Sequence, residues 1–300
     1  MAVNRITSSS SPWNDHVFLE AGSPIIHHRM SNICILTDST AQFSHPNYPG
    51  NDRVYIIPFE LRSQVRLGHE SWSGGDSLQR LIPPSQMEFT QYYTRLSGKY
   101  DTILVLTLSE QLSPATSHAL SASINYSNHA AVEVIDSQTI GLGLGFLIQA
   151  AAAAAAAGAP LAEVERQIRV SIPRIYMLFC IPELTYLANS GYLENSQALV
   201  GEMMGMLPIF VIEDGRLTPM EKVRTQRHLF EAFQEFMNEF DVPTHIALVR
   251  GVNRNAIRSR PMLQYIREAF PETPFSEHTT TPHLAALFGP QSTGLVVIEK

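Results

Sequence analysis

Basic side chains are scarce in this chain of 300 residues: 21 Lys and Arg stand against 28 Asp and Glu, for a formal net charge of −7. Phosphate backbones and anionic headgroups would not be attracted to that balance, which argues against general nucleic-acid or membrane binding. The one local basic run, residues 250–260, mixes polar residues among its arginines and reads as a solvated helix face. Cysteine is rarer still. Cys34 and Cys180 both sit inside apolar runs, with no C-x-x-C or Cys/His spacing, so they read as buried free thiols and not as metal ligands. No run of about 18 apolar residues is present to span a bilayer. The nearest candidate, residues 141–159, is rich in alanine and glycine and reads as a soluble helix. A basic start followed by an apolar core is missing from residues 1–30, so no secretory signal is visible and a cytoplasmic protein is expected.

Motifs for nucleotide and nucleophile chemistry are missing too. Gly-Leu-Gly-Leu-Gly at 141–145 alternates its glycines, but it lacks the Lys-Ser/Thr partner of a P-loop and the spacing of the dinucleotide fingerprint. Ser39, Ser109 and Ser113 each follow an apolar strand, with His118, His278 and His283 available as bases. No G-x-S-x-G elbow surrounds any of them. The adjacent pair His27 and His28 lies in a polar leader without metal-ligand spacing.

What is present is a large α/β pattern. A hydrophobic content of 44% can bury a sizeable core, and the length suits two domains or one large one. Residues 1–31 are rich in Ser, Asn, Pro and His with no sustained period, and read either as a disordered extension or as residues ahead of a true start nearer Met30. Strands are expected at 33–37, 54–60, 101–108 and 131–135, and helices at 88–96 and 114–127. Continuous apolar runs of that kind belong to a parallel sheet covered on both faces. A helix then runs through eight consecutive alanines at 150–157 and ends at Gly-Ala-Pro, 158–160, where the domain boundary is placed. The second half offers strands at 174–181, 207–213, 245–250 and 294–299, with helices at 182–189, 196–206, 227–240 and 257–270. Asp214-Gly215 between apolar runs predicts a hairpin.

Open parallel sheets bind ligands outside the carboxyl ends of their strands. Asp38, Ser39 and Thr40 follow one such strand; Ser109 and Ser113 follow another. Hydroxyls there can donate to a carboxylate or phosphate, although each residue has a plain structural role open to it. Asp38 or Ser39 suits a turn, and Ser113 suits the N-cap of a helix with Pro114 at its first position. The methionine-rich run at 198–210 is either core or the wall of a lipid-shaped pocket.

Several stretches, in this order and spacing, resemble the DegV family of bacterial fatty-acid-binding proteins. They are ILTDSTA at 35–41, LTLSEQLS at 106–113, VIDSQTIGLGLG at 134–145, RIYMLFCIPELTYL at 174–187, the segment 190–209, EDGRLTPMEKVRT at 213–225 and GPQSTGLV at 289–296. The resemblance implies a two-domain α/β fold: a mostly parallel N-terminal sheet with helices on both faces at 32–158, and a mixed-sheet C-terminal domain at 159–300. It further implies a long-chain fatty acid in a tunnel between them. The ligand's carboxylate would be held by hydroxyl and histidine groups and presented to a separate fatty acid kinase. The protein itself would be a carrier without turnover, cofactor or metal.

On that resemblance Ser39, Thr40, Ser85 and Ser113 are the polar anchors, with His283 as a further contact and Met203, Met204, Met206 and Phe210 as tunnel wall. Four positions depart from the family pattern. Leu81 replaces a carboxylate-contacting threonine, Tyr192 replaces the arginine of Gly-Gly-Arg, and Leu287 replaces the histidine of His-x-Gly-Pro; Glu110 stands where a second serine is usual. Each buried charge-assisted hydrogen bond so lost is worth about 1.5–3 kcal/mol, so the head group must be held differently or the ligand is another apolar molecule. The competing readings are a serine hydrolase using Ser39 or Ser113 with His118 or His283, and a scaffold that has lost its ligand.

Overall fold

The computed structural model describes residues 32–63, 78–127, 130–252 and 260–300. The expected extension at 1–31, with His27 and His28, and most of the basic run at 250–260 lie outside the described residues.

β1 (Ile33–Asp38) is buried at all six positions because both faces of its sheet are covered. β2 (Val54–Ile57) stops where Pro58 removes a ladder donor, so the expected strand 54–60 splits and the chain resumes as β3 (Glu60–Ser63), antiparallel to β4 (Gln79–Ile82). α1 (Gln86–Ser97) follows, then β5 (Thr102–Thr107), α2 (Ala115–Ile124) and β6 (Ala131–Asp136). The first sheet runs β2-β1-β5-β6, all parallel. Alternation sends Cys34 and Leu36 to the face covered by Phe89, Tyr93 and Ala119 of α1 and α2. Ile33 and Ile35 point to the opposite face.

α3 (Leu142–Ala156) covers that opposite face, and its small residues decide how closely. A Cβ at Gly145 would stand 1.9 Å from the Gln42 carbonyl oxygen, and one at Gly143 2.2 Å from Thr139 Oγ1. The alternating glycines are thus close-packing points, Gly145 against backbone and Gly143 against side chains. α4 (Leu161–Ser171) buries Val164 and Ile168 in the same core, so it packs on the first sheet although it follows residue 158.

The chain then enters the second sheet through β7 (Ile175–Cys180). α5 (Leu184–Asn189), α6 (Asn195–Met203), β8 (Leu207–Glu213) and β9 (Arg216–Val223) follow; the β8–β9 turn has Asp214 at φ 47° and Gly215 at φ 77°, as the Asp-Gly signal predicts. α7 (Gln226–Asn238), β10 (Pro243–Arg250), α8 (Arg260–Ala269), β11 (Phe275–Thr279), α9 (Pro282–Phe288) and β12 (Thr293–Glu299) complete it. The sheet is mixed, ordered β11-β10-β12-β7-β8-β9. α7 and α8 cover one face with Phe233, Met237 and Ile266. The other face turns toward the first sheet. There Met177, Phe179, Phe210 and Val249 join Phe59, Leu108, Leu112 and Ile140 in a single core that holds the two units together.

Candidate functional site

In the first sheet the chain runs outward from β1 to β2, then crosses back to β5 and β6. The reversal falls between the carboxyl ends of β1 and β5, where the rule for open α/β sheets puts the ligand crevice. Asp38 organises it. Its fully buried carboxylate accepts from Thr40 N–H at 2.9 Å, Thr40 Oγ1 at 2.5 Å and Leu108 N–H at 2.6 Å, tying the loop after β1 to the loop after β5. Burial raises the carboxyl's pKa, and these three donors oppose the rise. Asp136 repeats the device one strand over, accepting at 3.1 Å from both Glu110 N–H and Gln138 N–H.

Ser39 stands at the crevice mouth. Its Oγ accepts from Phe59 N–H at 2.8 Å and lies 3.0 Å from Nε2 of His283, on α9 of the second unit. Burial pulls the His283 pKa down, partly offset by a backbone hydrogen bond to Phe59, so the neutral ring is favoured. His283 and Leu287 are four residues apart in one helix and share a face. The family pattern puts its histidine at 287; here the histidine of that helix stands one turn earlier, at 283.

Ser113 is not a helix cap. α2 begins at Ala115 after Pro114, with no side-chain capping bond, and Ser113 Oγ is buried without a hydrogen-bond partner among the described residues. A buried unpaired hydroxyl costs about 1–3 kcal/mol, a penalty that a ligand oxygen would relieve. Its neighbours Leu112 and Ala115 belong to the junction core, as do Phe59 beside Ser39 and Leu284 beside His283. Ser39, His283 and Ser113 thus border one apolar cluster from both units.

The other expected anchors lie elsewhere. Thr40 is buried with its hydroxyl donated to Asp38, and so acts through that carboxylate. Ser85 is exposed and forms a capping box with Glu88 at the start of α1. Phe210 lies in the junction core. Met204 and Met206 line a cavity of about 480 Å³ under α6, together with Leu184, Val200, Pro208 and Lys222. Met203 is 79% exposed and is not among its lining residues. Three of the four departures converge: Leu81, Tyr192 and Leu287 all pack into the junction core, and Tyr192 OH donates to the Leu112 carbonyl. Glu110 accepts from Ser117 N–H at 2.9 Å and from the Ser117 hydroxyl, in the first turn of α2.

Two contacts were not foreseen. Ser109 Oγ donates 2.8 Å across the junction to the Gly215 carbonyl, so the β8–β9 hairpin tip docks on the first sheet's carboxyl edge. Gln42 Nε2 donates to Thr279 O at 2.9 Å. The Asp-Gly turn was readable, but nothing local signalled its destination.

Hydrolytic geometry is only half assembled. Ser39 and His283 form a hydroxyl–imidazole pair, but the Phe59 N–H donates to the same oxygen, and no carboxylate is recorded acting on His283 among the described residues. His118 Nδ1 is held by the Pro84 carbonyl at 2.7 Å and pairs with no candidate serine. No group of three or more His, Cys, Asp or Glu among the described residues could hold a metal ion. None of their helices is long and apolar enough to cross a membrane.

These features define a two-sheet α/β protein with a hydroxyl-lined crevice at the switch point of its parallel sheet, facing a second unit. A family profile described as uncharacterised proteins of the DegV family matches residues 32–300, and the chain belongs to that family. A DegV domain-containing protein of Staphylococcus aureus (strain COL) is 28% identical over 282 residues, covering 90% of this chain and all of the relative. Among solved structures, DegV of Bacillus subtilis, described as a fatty acid binding protein, has a TM-score of 0.72 at 21% identity, covering 90% of this chain and 100% of that one. The Fatty Acid Kinase B3 protein of Streptococcus pneumoniae, loaded with linoleic acid, has a TM-score of 0.74 at 17% identity over the same shares.

Proposed function

We propose that this protein binds a long-chain fatty acid at the junction of its two units, as a carrier without turnover of its own, and presents the carboxylate to a separate kinase or acyl-transfer partner. Ser39, His283 and Ser113 hold the carboxylate; Thr40 positions the loop through Asp38. The acyl chain packs against the apolar junction core that includes Leu81, Phe210 and Leu287. The observation that carries this reading is the partnerless buried hydroxyl of Ser113, on the same apolar cluster as the Ser39–His283 pair. Because three family contacts are apolar here, Ser39 and His283 take a larger share of the head group than in relatives that keep them. Fatty-acid-bound structural neighbours support the ligand class, and the kinase name of one supports the partner class. Native mass spectrometry of protein purified from cells tests it. A co-purifying acyl chain, exchangeable for palmitate or oleate, is expected; a bare protein that takes up neither would sink the proposal.

The 3.0 Å Ser39–His283 pair favours serine-dependent ester hydrolysis as a second reading. Labelling by a fluorophosphonate probe, abolished in Ser39→Ala, would select it over the carrier.

A further inference from the structure

The open edge of the second sheet meets the first unit through histidines that the acyl site does not use. β10 and β11 are parallel, with Ala247 opposite Ser276 and Val249 opposite His278. Strand alternation therefore sets His245, Ser276 and His278 on the face whose Ala247 and Val249 lie in the junction core. On it, Ser276 Oγ lies 2.8 Å from His245 Nε2 and 2.9 Å from His278 Nε2. The first unit presses on this group: the Phe146 ring of α3 meets His245 edge-on at 4.8 Å between centroids.

A serine hydroxyl carries one proton. With both rings neutral it donates to one Nε2 and accepts from the other, and the bridge is complete. With both rings cationic, each nitrogen donates, the hydroxyl can donate to neither, and two positive charges share one oxygen. The charged groups recorded acting on the rings are the rings themselves, His45 from the loop after β1, and Glu277 on His278. Glu277 is already paired with Arg250 at 2.5 Å. Burial first, then His278 and His45, hold the His245 pKa down at about 4; burial, then His45, lower that of His278. Because folding depresses these values, the stability they contribute is full above the ordinary pKa of about 6.5 and is lost as pH falls toward the folded values.

We propose that His245, Ser276 and His278 form a pH-sensitive latch within the second unit, on the face where His245 meets Phe146 of the first, closed while both bridging rings are neutral and released when they protonate. The latch stands whether or not the protein carries a lipid. Hydrogen exchange of the full chain at pH 7.5 and pH 5.0, corrected for intrinsic rates, tests it. Protection of residues 142–149 and 275–279 is expected to fall about tenfold in the wild-type protein and to stay within about twofold in His245→Gln/His278→Gln, whose amides do not titrate. Flat protection in the wild type, or a parallel loss in the double variant, overturns it. Should the double variant not fold, imidazole titration by NMR decides: a His245 that protonates at its ordinary pKa refutes the latch.

Discussion

Asp38 is the residue whose removal most clearly tests how the crevice is built. Its carboxylate receives two backbone N–H groups, from Thr40 and Leu108, and one hydroxyl, all buried, with no cation acting on it among the described residues. In Asp38→Ala both N–H groups lose their acceptor at about 1–3 kcal/mol each. Release of a buried carboxylate returns part of that, leaving a net loss of about 3 kcal/mol. Asp38→Asn separates the causes. Placing its amide oxygen at the Oδ1 position keeps the two Thr40 donors, but sets an NH₂ against Leu108 N–H, donor against donor, and a loss of about 2 kcal/mol is expected. Urea unfolding followed by tryptophan-independent far-UV circular dichroism gives both values at pH 7. Because the same bonds couple the β1 and β5 loops, Asp38→Asn is also expected to weaken fatty acid binding more than its stability loss alone explains. A loss below about 1 kcal/mol in Asp38→Ala would refute the reasoning, since the two amides would then have found other acceptors.

Gly145→Ala adds the better helix former in the first turn of α3, yet its Cβ would meet Gln42 backbone at 1.9 Å; destabilisation by about 2 kcal/mol in thermal unfolding is expected, opposite in sign to propensity. Gly215→Val, at φ 77° and 2.3 Å from Ser109 Oγ at its Cβ, should loosen the hairpin tip and raise exchange at residues 109–113 with little change in the first sheet's core. Burial pushes both thiols up to about 12, so Cys34 and Cys180 should resist Ellman's reagent in the native protein at pH 8 and react together on unfolding.

The elements most legible in the sequence were those with one dominant physical cause. The runs at 33–37 and 101–108 are apolar because two helical layers cover them, and both are strands. Asp214-Gly215 needs two positive φ angles and has them. β11 and α9 were not foreseen. Phe-Ser-Glu-His-Thr is an edge strand with little apolar alternation, and α9 is seven residues long, too short for a helical period to show. These two elements carry His278 and His283, which were named as candidates without the elements that place them at the junction. In the site, Ser39 was readable from its place after an apolar strand. Ser85 was named on the family resemblance alone, and it serves as an exposed cap because Glu88 three residues on completes a capping box. Ser113 looked like a cap before Pro114, and only its surroundings show an unpaired hydroxyl. That distinction depends on partners far along the chain.

The most direct test of the proposed function is a titration of delipidated protein with oleate, comparing wild type with Ser113→Ala and His283→Ala by native mass spectrometry. One acyl chain per protein is predicted, with each substitution weakening binding about tenfold, as loss of one charge-assisted hydrogen bond requires. Failure of the wild type to take up oleate or palmitate, or full affinity in both variants, would contradict it.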